Sequence, residues 1–99
     1  MKYLLLITTN PAAPQPTPDV FLRHKEWVQQ QEKKGTIEAS YTFAGSNEGM
    51  CIMNTDTPED LDDIMIAAPA RPYANIEVKP LSDFAKSMDR VAAAMKRAG

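Results

Sequence analysis

The chain contains one histidine, His24, and one cysteine, Cys51. Histidine is the side chain that gains and loses a proton near neutral pH, with an ordinary pKa of ~6.5. A lone histidine facing the interior is therefore the first candidate for general acid–base work. His24 falls four residues after Val20, three before Trp27 and four before Val28, which places all four on one face of a helix. The alternative is a packed histidine whose ring is hydrogen-bonded to a carbonyl. Tyr41 and Tyr73 carry hydroxyls able to donate to a developing enolate, or they are amphipathic filling. Arg71 offers a planar fork for a carboxylate, or it is a surface arginine in a proline-rich loop. Trp27 and Phe43 supply aromatic surface for a substrate or simply for the core. Glu38 and Glu77 read as solvent-facing or rim carboxylates. Cys51 sits in an apolar stretch without a basic neighbour in sequence, which suits an inert buried thiol. One thiol and one histidine make neither a disulfide framework nor a structural zinc site.

These residues need elements to position them. Residues 3–9 (YLLLITT) are aliphatic and β-branched toward both faces, so they predict a buried strand. The segment 10–18 holds four of the eight prolines and is stiff and extended, either a linker or a rigid wall. Thr17-Pro18 predicts a helix start, and Gly35 its stop after Lys34. Residues 36–44 alternate, with Ile37, Ala39, Tyr41 and Phe43 pointing one way and Glu38, Ser40 and Thr42 the other. Residues 45–49 make a turn, and Met50–Asn54 the partner strand of a hairpin. Thr57-Pro58-Glu59-Asp60 opens a second helix with Leu61, Ile64 and Met65 inward, ended by Pro69 and Pro72. Residues 73–79 predict a fourth strand closed by Pro80. Ser82 is the expected cap of a last helix whose face is Phe84, Met88, Val91, Ala92 and Met95.

The order βαββαβ followed by a helix predicts an α+β, ferredoxin-like fold: four antiparallel strands with two helices on one face and an added C-terminal helix. The strands carry apolar side chains toward both faces, and a soluble chain does not leave several hundred Å² of such surface in water. Two sheets packed face to face across a two-fold would cover it, so a homodimer is expected.

Size and charge narrow the classes. Ninety-nine residues and 43% hydrophobic content suit one globular domain over residues 1–99. The net charge of −2 and the pI near 5.3 argue against binding to nucleic acid or anionic lipid. An RNA-binding module would want aromatics on both central strands and a basic surround, and residues 49–54 hold no aromatic. No run approaches the ~20 apolar residues of a membrane span. The five apolar residues after Lys2 are too few for a secretory core, so a cytoplasmic location is expected.

Two stretches resemble a known family. Residues 35–45, Gly-Thr-Ile-Glu-Ala-Ser-Tyr-Thr-Phe-Ala-Gly, resemble the hairpin entry of muconolactone isomerases. Residues 69–78, Pro-Ala-Arg-Pro-Tyr-Ala-Asn-Ile-Glu-Val, are similar to that family's Pro-Leu-Phe-Pro-Tyr-Met-Asp-Ile-Glu-Val. Asp56–Leu61 resembles its strand-to-helix turn, and the spacing runs without gaps from about Thr17 to Leu81. The resemblance implies a dimeric α/β barrel, often with higher assembly of dimers, and a cofactor-free active site between helices and sheet. It also implies an acid/base role at position 24, where the family carries a glutamate and this chain His24. The family's histidine and asparagine after the hairpin turn fall on Ser46 and Gly49, and its phenylalanine between the prolines on Arg71. The C-terminal region is a longer helix than the family's short tail.

The expected function is thus a cofactor-independent isomerase or cyclase acting by proton transfer on a small unsaturated lactone or carbonyl compound. His24 would be the acid/base and Tyr41 the enolate stabiliser. Trp27, Phe43, Arg71 and Tyr73 would bind substrate, with Arg71 as anchor. Two alternatives stand beside it: a cofactor-free monooxygenase, and a non-catalytic dimeric module that binds a small molecule or assists another enzyme.

Overall fold

The first strand, β1 (Lys2–Thr9), alternates between fully and partly buried side chains and sits inside the sheet. The structure is a computed structural model describing residues 1–99. Helix α1 (Pro18–Lys34) follows, with Pro18 in its first turn and Asp19 on the positive end of its dipole. It stops at Gly35, whose φ of 82° a side chain would strain. There the amides of Gly35 and Thr36 satisfy the carbonyls of Glu32 and Gln31, the paired bonds of a Schellman motif. Then come β2 (Ile37–Thr42), β3 (Gly49–Asn54), α2 (Pro58–Ile66), a 3₁₀ turn (Arg71–Tyr73), β4 (Ala74–Leu81) and α3 (Phe84–Ala98). The Thr57 hydroxyl caps α2 by accepting from Asp60 N–H at 3.1 Å.

The strands pair antiparallel in the order β2-β3-β1-β4, the ferredoxin-like arrangement expected. One face carries Tyr3, Leu5, Cys51, Met53 and Ile37, which form the core with Leu61 of α2. Leu5 and Met53 are wholly enclosed. Trp27, Val28, Ile64, Met65 and Ile76 close around them. The other face presents Leu4, Leu6, Met50 and Ile52, each only partly covered.

Four details differ from the sequence expectation. The alternation along β2 is broken by a bulge: Ile37 pairs with Met53 but Ala39 with Ile52, leaving Glu38 unpaired. The parity therefore flips, and Ile37 lies on the helix-covered face while Ala39 and Tyr41 lie on the open one. The Glu38 carboxylate instead meets Lys2 Nζ at 3.0 Å. Next, β4 runs through Pro80 to Leu81, because an edge strand tolerates a residue without an N–H. Tyr73 belongs to the 3₁₀ turn rather than to the strand. Last, α3 is capped by Asp83, whose carboxylate accepts from Lys86 N–H at 3.0 Å, and not by Ser82.

Candidate active site

Between α1 and the end of the sheet where β1 finishes and β4 begins lies a cleft of about 420 Å³. That volume suits a small organic molecule. Its α1 wall is one helical face, Phe21, His24, Lys25, Val28, Gln29 and Glu32, in the i, i+3, i+4, i+7, i+8, i+11 pattern. Its floor includes Ile7 and Thr9 of β1 and Gly49 of β3. A side chain at Gly49 would collide with the backbone carbonyl of Tyr41, so the floor there must be bare. Pro16 shows the proline stretch acting as a wall. The tip of the β2–β3 hairpin is tied to the cleft by Glu48, whose carboxylate accepts from Thr9 N–H at 2.6 Å.

His24 is a polar group of the lining that is held by both a hydrogen bond and a stacked ring. Its Nδ1 accepts from the backbone N–H of Ala70 at 3.3 Å. Its ring stacks on Trp27 with centroids 5.5 Å apart and planes 24° from parallel. Burial disfavours the charged imidazolium and holds the pKa below its ordinary 6.5. The ring is thus neutral at pH 7. With Nδ1 accepting, the proton sits on Nε2, which leaves that nitrogen of His24, a residue of the cleft wall, free to donate. For Nε2 to act as a base the proton must move to Nδ1, where it would confront the Ala70 N–H.

Of the other residues singled out in the sequence, Tyr41 and Tyr73 border the cleft. Tyr41 is 66% exposed, and its register with Met50 turns its side chain to the open face. Trp27 lies behind His24 and belongs to the core layer. Phe43 lines a separate shallow groove with Leu6 and Ile76. Arg71 begins the 3₁₀ turn beside Ala70 and is not among the lining residues. Sequence reasoning missed Phe21, Lys25 and Glu32. Extending the face of His24 by helical spacing in both directions finds all three.

The fold and cleft define an α+β protein with a small-molecule-sized site between its first helix and its sheet. The family model of muconolactone delta-isomerase matches residues 1–87, and the chain belongs to that family. Among solved structures it is similar to a crystal structure of muconolactone isomerase, with a TM-score of 0.73 and 24% identity over 84% of this chain and 90% of that one. It is also similar to 5-chloro-2-hydroxyhydroquinone dehydrochlorinase from Burkholderia phenoliruptrix AC1100, in complex with 2,5-dihydroxybenzoquinone. There the TM-score is 0.66 and the identity 15%, over 83% of this chain and 94% of that one. At these identities the two structures speak for the fold alone. No curated protein matches the chain in sequence at a significant level.

Proposed function

We propose that the cleft catalyses proton transfer, without a cofactor, on a small unsaturated lactone or carbonyl compound, moving a double bond or closing a ring. The observation that carries this reading is His24: a neutral imidazole, fixed by the Ala70 amide, on the wall of a cleft in a chain of this family. Removing a proton next to a carbonyl builds negative charge on its oxygen. A fixed Nε2–H donor stabilises that charge as it forms and need not reorganise. Tyr73, at the border of the cleft, is the hydroxyl available as a second donor, whereas the Tyr41 side chain turns to the open face and away from His24. The neutral ring is a poor base in this tautomer, so another group takes the proton. Glu32 is the one carboxylate in the lining, two turns further along α1, and would take it and return it further along the conjugated system. Lys25 supplies positive charge at the wall for an anionic substrate, the role the sequence suggested for Arg71.

The homodimer belongs to the same reading. The open sheet face, Leu4, Leu6, Met50 and Ile52 with exposed Tyr41 and Phe43, is too apolar to stay in water, and a second copy covers it.

The test is solvent-deuterium incorporation. The protein is incubated in heavy water with a panel of unsaturated lactones and β-keto compounds, and label is read by mass spectrometry. Wild type is expected to label a substrate. His24→Ala should lower the rate by about 10²–10³, the usual loss of one oxyanion donor. His24→Gln, which keeps an N–H, should fall between them. Label that persists undiminished in His24→Ala discards His24. No label in any variant across the panel, with ligand binding retained, favours the non-catalytic module.

A further inference from the structure

We propose that Glu48 is a positioning residue: its carboxylate latches the tip of the β2–β3 hairpin to the end of β1, and so holds Asn47 at the cleft as a specificity-determining contact to substrate oxygen. This rests on the cleft being a site for a small unsaturated lactone or carbonyl compound, as read above. The β1–β3 ladder runs from Lys2 opposite Asn54 to Ile7 opposite Gly49 and stops there, while β1 continues to Thr9. Successive amides of a strand point to opposite edges. Toward β4, the Asn10 N–H donates to the Tyr73 carbonyl at 3.3 Å. Toward β3, the Thr9 N–H has no strand beside it, because β3 begins only at Gly49. The Glu48 carboxylate stands in for the missing carbonyl and accepts from Thr9 N–H at 2.6 Å. An ionised acceptor on a backbone N–H makes a short, strong bond.

The turn that this bond anchors is bonded within itself. Glu48 N–H donates to Ser46 Oγ at 3.1 Å, and the Glu48 carbonyl accepts from Phe43 N–H at 2.8 Å. Ser46 N–H and Oγ–H both donate to the Phe43 carbonyl, at 3.0 and 3.2 Å. Asn47 lies between these two residues and lines the cleft. The turn's bonds use the Ser46 hydroxyl and the Glu48 carboxylate, and none uses the Asn47 carboxamide. That group therefore offers two donors and one carbonyl acceptor to a ligand. His24 and Lys25 reach the cleft from α1 and Asn47 reaches it from the hairpin, with Ile7 and Val28 as apolar lining. The matching ligand is a small apolar body with a second oxygen besides the one at the reacting carbonyl. An uncharged carboxamide donates to a carbonyl or enolate oxygen and accepts from a hydroxyl, so it selects by the presence of that second oxygen.

The experiment is an isotope-edited NMR titration of the full chain with two probes. Tetronic acid is a β-keto lactone with exocyclic oxygen on two ring carbons, and γ-crotonolactone is the same unsaturated ring without the second exocyclic oxygen. Wild type should bind tetronic acid with a shift of the Asn47 side-chain amide signals. Asn47→Ala should bind it about fivefold more weakly, the worth of one hydrogen bond, and bind γ-crotonolactone as wild type does. Glu48→Ala should weaken tetronic acid binding too, and Glu48→Gln, which keeps a carbonyl acceptor, should restore most of it. The double variant of Asn47→Ala with Glu48→Ala should bind no more weakly than Asn47→Ala alone, because Glu48 acts through Asn47. Additive losses overturn the positioning role. So does a Thr9 amide that exchanges with heavy water as fast in wild type as in Glu48→Ala, with the Asn10 amide as the check that the sheet is intact. Asn47→Ala that binds tetronic acid like wild type overturns the contact and leaves the proposed reaction standing. Wild type that binds neither probe overturns the contact and the substrate class together.

Discussion

At His24 two effects act in the same direction. Burial disfavours the imidazolium, and the Ala70 amide needs the Nδ1 lone pair that protonation would consume. The sign of the pH dependence follows. The folded-state pKa is below the unfolded ~6.5, so the unfolded chain binds the proton first as pH falls. This group costs no stability above about pH 6.5, and stability declines from there down through its lower folded value. Urea midpoints should therefore fall between pH 7.5 and 5 by more in wild type than in His24→Gln. Equal slopes would show that the ring is not held neutral by the fold. Cys51 tells the same story with an acid. Burial pushes its thiol up to about 11, so almost no thiolate exists at pH 8. Alkylation at pH 8 should be very slow in native protein and fast in urea. Prompt native labelling would mean that β3 opens readily.

Among the elements, β3 has a position that admits no side chain. Gly49 is buried and faces the Tyr41 carbonyl, so Gly49→Ala must part the hairpin or shift it. The expected cost is about 1–3 kcal/mol. That lowers the thermal midpoint by roughly 4–8 °C per kcal/mol, read by calorimetry. An unchanged midpoint would show that the hairpin shifts freely. Most element boundaries were legible because their signals are local: Pro18 and Pro58 in first turns, Gly35 after Lys34, alternation in the strands. The bulge at Glu38 was not legible. A single extra residue leaves composition untouched and shows only in the pairing of Ile37 and Ala39 with β3. The same slip explains why Tyr41, grouped with Ile37 by simple alternation, lies on the opposite face. His24 was legible as an inward group by helical spacing. Its tautomer was not, because the Ala70 amide is 46 residues away.

For the whole molecule, the distribution of apolar surface matters more than its amount. Only 11 of 99 residues are buried, so the isolated chain holds little of its own hydrophobic content inside. Stability should accordingly depend on protein concentration, as it does when folding and association are linked. The thermal midpoint should rise with each tenfold increase in concentration. A midpoint independent of concentration would mark the single chain as self-sufficient. The need for a cover on the sheet was visible in sequence from strands apolar on both sides. That α3 does not provide the cover for its own chain required the structure, since an amphipathic pattern specifies a buried face but not whose.

The two borders of the sheet carry a further consequence. One border strand, β2, is kinked by the unpaired Glu38, and the other, β4, contains Pro80, which has no amide to offer. A chain so rich in exposed apolar surface is a hazard for fibril growth, which proceeds by adding strand upon strand at a free margin. Both margins are spoiled as templates. The two-fold contact proposed for the open face is of the other kind, one that closes on itself after a fixed number of chains instead of propagating without limit.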